Sequence, residues 1–194
     1  MSLAGFENPV LDQQAAFRSV MQALAEPGRI VPAGALAGEA SPFGPVARAI
    51  ALSLLDFEVR YHLSPGLIAA NEDITFHTGS RLAARPDEAE FAFVDLARDA
   101  LDLASFAQGT PEYPDRSTTV FVKVECLVGG PTLTIAGPGI PGTRELAIPG
   151  LPADFIAQWA ANAARAPLGV DLLFTTNEAV LGLPRSTRIL GEAR

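Results

Sequence analysis

The chemistry open to this 194-residue chain is bounded by a short supply of reactive side chains: two histidines, His62 and His77, one lysine, Lys123, and one cysteine, Cys126. A zinc site built from His and Cys is all but excluded by that inventory, and an iron–sulfur cluster, which needs three or four thiolates, is excluded outright. Any Schiff base or phosphate-loop lysine would have to be Lys123. His77-Thr78-Gly79-Ser80 is one segment whose residue types can do more than build structure. An imidazole followed by two hydroxyls and a glycine can bind an anion or move a proton, although no G-x-S-x-G elbow is present to make a hydrolase triad. Arg185-Ser186-Thr187-Arg188 is the other. Two guanidinium groups and two hydroxyls on a short extended segment suit a phosphate or a partner's carboxylate, while ordinary salt bridges on an exposed tail explain the same residues.

The remaining motifs read as structure. Gly137-Pro138-Gly139-Ile140-Pro141-Gly142 matches the spacing of a dinucleotide loop. That loop works by aiming backbone N–H groups and a helix N-terminus at a pyrophosphate, and Pro138 and Pro141 have no N–H to aim, so the segment reads as a rigid turn. Cys126 shares a strand face with Val120, Val122 and Val124 and reads as a core thiol, with Lys123 on the opposite face as an edge or solvated lysine beside an acid. His62 reads as a hydrogen-bonded structural histidine. Asp56, Asp171 and Glu178 are carboxylates at element ends, where turn formers and caps are commoner than magnesium ligands.

These residues must be positioned by alternating helices and strands. Val10, Phe17, Val20, Met21 and Leu24 recur at helical spacing until Pro27-Gly28, which predicts a helix over 10–25 followed by a short edge strand at 29–31 and a loop over 32–42. A second helix is predicted from Pro45 to Asp56, then strands at 58–63, 74–76 and 89–94, a helix start at Gly79, and helical spacing over 95–107. The segments 118–128 and 132–136, around Gly129-Gly130-Pro131, predict an antiparallel hairpin, followed by a strand over 143–148, a helix over 152–164, a strand over 170–174 and a proline-punctuated tail. The fold class expected is α/β, one domain over 1–194, with a mixed sheet covered by helices on both faces.

A formal charge of −8 and single, scattered cations speak against a nucleic-acid surface. The longest apolar stretches fall short of the roughly 20 residues a bilayer span needs. With one cysteine and no secretory pattern at the start, the expected compartment is the cytoplasm.

Taken in order, several segments resemble the PhnH family of bacterial phosphonate metabolism. They are Phe17-Arg18-Ser19-Val20-Met21, Glu26-Pro27-Gly28, Leu54-Leu55-Asp56, Phe76-His77-Thr78-Gly79, Gly137-Pro138-Gly139-Ile140, Pro167-Leu168-Gly169-Val170-Asp171 and Leu183-Pro184-Arg185-Ser186-Thr187. The resemblance implies a subunit of the carbon–phosphorus lyase system acting with PhnG, PhnI and PhnJ partners, and a homodimer when isolated. In that system an alkylphosphonate is attached to the ribose C1 of ATP with release of adenine, chiefly by PhnI with PhnG, PhnH and PhnL, and iron–sulfur PhnJ later breaks the carbon–phosphorus bond. It also implies a fold similar to the pyridoxal-phosphate-dependent transferases. Pyridoxal phosphate itself is not expected, because Lys123 is predicted inside a hairpin strand and not in a cleft. The expected function is an assembly or supporting subunit without independent catalysis, with the hairpin and its flanking turn as the assembly surface. The alternative is a small nucleotide- or phosphonate-binding enzyme with His77 as acid–base and Arg185 or Arg188 on phosphate.

Overall fold

Asn8 and Pro9 start the first helix for local reasons: the Asn8 side chain accepts from Leu11 N at 3.4 Å, and Pro9 occupies the first turn, where no amide proton is needed. The computed structural model describes residues 4–34 and 41–192, so residues 35–40 of the predicted 32–42 loop lie outside the described residues. Helix α1 (Pro9–Ala25) leads to strand β1 (Ile30–Pro32), helix α2 (Pro45–Leu54) and strand β2 (Arg60–Leu63). Helix α3 (Asn71–Thr78), β3 (Arg81–Leu82), β4 (Phe91–Asp95) and β5 (Thr119–Lys123) follow. Then come β6 (Leu133–Ala136), β7 (Arg144–Leu146), α4 (Phe155–Ala163), β8 (Asp171–Thr175), β9 (Ala179–Leu183) and β10 (Arg188–Glu192).

Seven strands form one mixed sheet in the order β1-β9-β8-β5-β4-β2-β3, parallel from β3 through β8 and antiparallel at β9. Its central strands are apolar on both sides, the pattern of a parallel sheet buried on both faces. Phe93 and Phe121 stack at 5.0 Å on the side that packs with α1, α2 and α3 residues such as Ala16, Val46 and Ile74. The alternate residues Ala92, Val94, Val120 and Val122 face Trp159 of α4 and Leu133, Ile135 and Leu146 of the second sheet. That second sheet has three strands, β10-β6-β7, so helices do cover both faces, with a small β-layer beside α4 on one of them.

Four expectations change. No 118–136 hairpin forms: β5 lies between β4 and β8, and β6 pairs with β7 and β10 in the other sheet. Consecutive Val120, Phe121 and Val122 are all buried and need cover on both faces, which a two-stranded ribbon does not supply. The hairpin of the small sheet is β6–β7, and the glycine-proline motif is its turn. Gly139 has φ 79° and sits so close to Ala25 O that a Cβ would collide with it. The predicted 74–76 strand and the helix start at Gly79 are replaced by α3, which Gly79 ends in the left-handed conformation at φ 68°. Ile74 and Thr75 look like strand residues, but only Ile74 is fully buried while Phe76 is 71% exposed, the one-sided burial of a surface helix.

Residues 96–107 are irregular apart from one short 3-10 turn at Leu103–Ser105. Asp95 and Asp102 carboxylates accept from Ala97 N and Ala104 N, and Gln158 bridges Leu103 N and Leu101 O, so local side-chain bonds displace the helical ladder. The tail contributes two strands, β9 and β10. Gly182 of β9 lets α1 approach so closely that a Cβ there would strike Ala23 O.

Candidate functional site

Three neighbouring strands end on polar residues in one register: Asp95 of β4 stands beside Lys123 of β5, which stands beside Thr175 of β8. Each closes a run of buried apolar residues, so the sheet carries three polar groups to the carboxyl ends of its parallel strands, where open α/β sheets bind ligands. Lys123 Nζ donates to Pro42 O at 2.7 Å and lies 3.4 Å from Asp95 Oδ2. Asp95 Oδ1 accepts from Ala97 N, and Arg98 Nε is 3.9 Å from Asp95 Oδ2. Thr175 Oγ1 is buried and has no hydrogen-bond partner among the described residues.

A cavity of about 610 Å³ opens over these strand ends. Asp95, Arg98, Lys123, Glu125, Asn177 and Glu178 supply its polar wall, with Ile30, Val124, Leu127 and Val128 on the apolar side and Cys126 between them. The volume falls within the range of small-molecule sites. Gly44, at φ 76°, passes Asn177 so closely that a Cβ would lie 2.7 Å from its Oδ1, which ties the loop before α2 to the β8–β9 turn. The neighbouring crevice between β2 and β4 is closed, since Ser64 Oγ donates to Asp99 Oδ2 at 2.6 Å and Gly66 N donates to the same oxygen at 3.0 Å.

Of the residues singled out from sequence, Lys123, Cys126 and Glu178 line this cavity, whereas His77 and the Arg185–Arg188 segment lie elsewhere and do not converge. Arg185 is at the opposite end of the sheet, folded inward. Its Nε and one Nη donate to Asp171, its other Nη to Pro114 O and Pro167 O, and Ser117 Oγ accepts a further bond. Ser186 and Arg188 point outward, and Thr187 is fully buried with its carbonyl accepting from Trp159 Nε1 at 2.9 Å. His77 is on α3, with Nε2 3.5 Å from Asp73 Oδ1, while Asp73 forms a two-point pair with buried Arg48. Two strands separate β2, on the α3 side, from the β8 position of Asp171, a spacing of about 14 Å at the usual interstrand distance. His62 is within β2, where burial holds its pKa below the ordinary value and Nδ1 is buried without a partner among the described residues.

Lys123 is thus at a cleft and not inside a hairpin, contrary to the expectation, which raises pyridoxal phosphate directly. The residues present do not fit that group. The single amine is engaged by Pro42 O and Asp95, and Asp95, the buried carboxylate that would have to face a pyridinium nitrogen, is its ion-pair partner. Among the described residues, none that lines the cavity belongs to the first turn of a helix, the usual phosphate cradle. Among the described residues no His, Cys, Asp and Glu side chains cluster as a metal site, and no helix is long and apolar enough to cross a membrane. What the arrangement offers is binding: fixed positive and negative groups around an open volume. The available sequence signal was an apolar strand run closing on a charged or hydroxyl residue, seen in Val94-Asp95, Val122-Lys123 and Phe174-Thr175.

Residues 4–190 match the model of a family described as bacterial phosphonate metabolism protein (PhnH). The chain belongs to the PhnH family. A PhnH relative from Rhizobium meliloti (strain 1021), alpha-D-ribose 1-methylphosphonate 5-triphosphate synthase subunit PhnH, is 44% identical over 186 residues, covering 95% of this chain and 93% of the relative. A second, the putative C-P lyase subunit protein HtxG of Stutzerimonas stutzeri, is 34% identical over 177 residues, covering 91% and 85%. The PhnH match spans both sheets and includes every residue named at the cavity.

Proposed function

We propose that this chain is a subunit of the carbon–phosphorus lyase machinery, supporting the step that couples an alkylphosphonate to the ribose of ATP with release of adenine. The near-full-length relation to a protein named as the PhnH subunit of that synthase carries the reading. It works in the cytoplasm with PhnG, PhnI and PhnJ partners, with PhnL in the coupling step, and has no catalysis of its own. The separation of His77 from Arg185 supports this, because an acid–base and a phosphate clamp must meet at one substrate.

The chain on its own is a homodimer, and its assembly surface includes the outer side of α1. Val10, Phe17 and Met21 form an exposed apolar stripe there, with Ile30 exposed on the edge strand β1. Of the surface expected from sequence, the 118–136 hairpin and its flanking turn, the β5 part is covered by strands on both edges. The seven-stranded sheet is a reduced relative of the pyridoxal-phosphate transferase sheet that works without the cofactor, a reading supported by the engaged Lys123.

Co-expression with tagged PhnI, PhnG and PhnJ, followed by adenine measurement with ATP, methylphosphonate and PhnL, tests this. The expected result is co-purification and adenine release that depends on this chain, with none from the chain alone. Failure to co-purify, or adenine release by the isolated chain, overturns the subunit reading. Added pyridoxal phosphate is expected to give no Schiff-base absorption band; such a band, lost in Lys123→Ala, would overturn the cofactor-free reading.

A further inference from the structure

We propose that the cavity over the ends of β4, β5 and β8 binds a phosphoryl-bearing sugar, with the phosphoryl group on Arg98 and the sugar hydroxyls on Glu125 and Glu178. The choice of a sugar rests on the ribosyl-phosphonate role proposed above; the division of labour in the cavity comes from its charges. Asp95 pairs with Lys123, so the buried carboxylate and the half-buried amine largely neutralise one another. Arg98 is different. Its side chain is 68% exposed, and its closest ionic contact is 3.9 Å through Nε, which leaves both Nη groups without a hydrogen bond among the described residues. A guanidinium fork in that state suits two phosphoryl oxygens.

Glu125 and Glu178 are exposed on the remaining wall, and neither carboxylate accepts a hydrogen bond among the described residues. Ionised carboxylates only accept, so they suit hydroxyl donors and repel a phosphoryl group, as an acidic residue does when it holds a ribose diol. Arg98 follows β4 and Glu178 joins β8 to β9, which sets the two about two strand spacings, roughly 10 Å, apart across the cavity. That span accommodates one sugar ring with a phosphoryl arm. Leu127, Val128 and Ile30 give the carbon skeleton an apolar wall. A sugar phosphate and a sugar phosphonate present the same groups to these residues.

Calorimetric titration of the full chain with ribose 5-phosphate, ribose, methylphosphonate and inorganic phosphate tests the site. Saturable binding of ribose 5-phosphate, tighter than either anion or ribose alone, is expected. Arg98→Ala should weaken it about tenfold or more. Glu178→Ala should weaken ribose 5-phosphate several-fold without weakening methylphosphonate. Both residues are exposed, so unchanged melting temperatures verify that the variants fold. No saturable binding, equal binding of inorganic phosphate, or tighter ribose 5-phosphate binding in Glu178→Ala, as simple charge attraction requires, overturns the proposal. A chain that co-purifies and supports adenine release yet fails these titrations sinks the sugar site alone, whereas a chain that binds ribose 5-phosphate but does not assemble sinks the subunit role alone.

Discussion

Arg185→Ala separates two uses of one guanidinium. If Arg185 holds a ligand phosphate, its loss removes binding and leaves stability unchanged. The geometry requires the reverse: the side chain joins Asp171 on β8 and Pro167 just before it to Pro114 and Ser117 ahead of β5, two segments distant in sequence. Truncation leaves the Asp171 carboxylate without its cation and two carbonyls without donors. Breaking a fully buried pair costs roughly 3–5 kcal/mol, and because the Arg185 and Asp171 side chains are 17% and 21% exposed, returning water reduces this to about 2–3 kcal/mol. For a domain of this size that is roughly 4–12 °C in melting temperature. Scanning calorimetry of Arg185→Ala, Asp171→Asn and the double variant is the assay, with the double costing less than the two singles added, since both remove the same contact. An Arg185→Ala chain that melts within about 1 °C of the parent while losing affinity for methylphosphonate would refute the structural role.

His62 gives the native state a pH dependence. Burial lowers its folded pKa below the ordinary 6.5, so the unfolded chain binds the proton more readily; the stabilisation is present above about pH 6.5 and is lost as pH falls through the folded pKa. Melts between pH 7.5 and 5.5 should show a steeper fall for the parent than for His62→Asn, and parallel curves would remove His62 as the cause. Gly182→Ala drives a methyl group into the Ala23 carbonyl of α1 and should cost about 1–3 kcal/mol in chemical denaturation; an unchanged midpoint would mean that α1 does not press on β9 in solution. Phe17→Glu, at a residue 47% exposed, should leave the melting temperature nearly unchanged while lowering the mass measured by light scattering from dimer to monomer, and a mass equal to the parent's would place the assembly surface elsewhere.

Elements whose periodicity matches their burial were legible without coordinates. Pro9 and Pro27-Gly28 bracket α1, and α2, β2, β4, β5 and β8 are visible in residue type. The segments Leu103–Ser105 and Asn71–Thr78 were misread because the deciding forces are a long-range bond from Gln158 in one case and one-sided cover in the other. Gln158 lies 55 residues from Leu103 in the chain, beyond any local window.

By itself the sequence determined the chemical limits and the family: one lysine, one cysteine and two histidines restrict what the chain can catalyse, and ordered motifs spread along most of it place it with PhnH. Tertiary structure alone decided which polar residues meet. Asp95 and Lys123 lie in widely separated segments and share a cavity, with Thr175 buried in register beside them, because parallel pairing aligns the three strand ends, while Arg185 and Arg188, three residues apart with buried Thr187 between them, part company because one turns inward to Asp171 and the other faces solvent. Side-chain type is local information, whereas convergence depends on strand order and register, which are properties of the whole packed sheet.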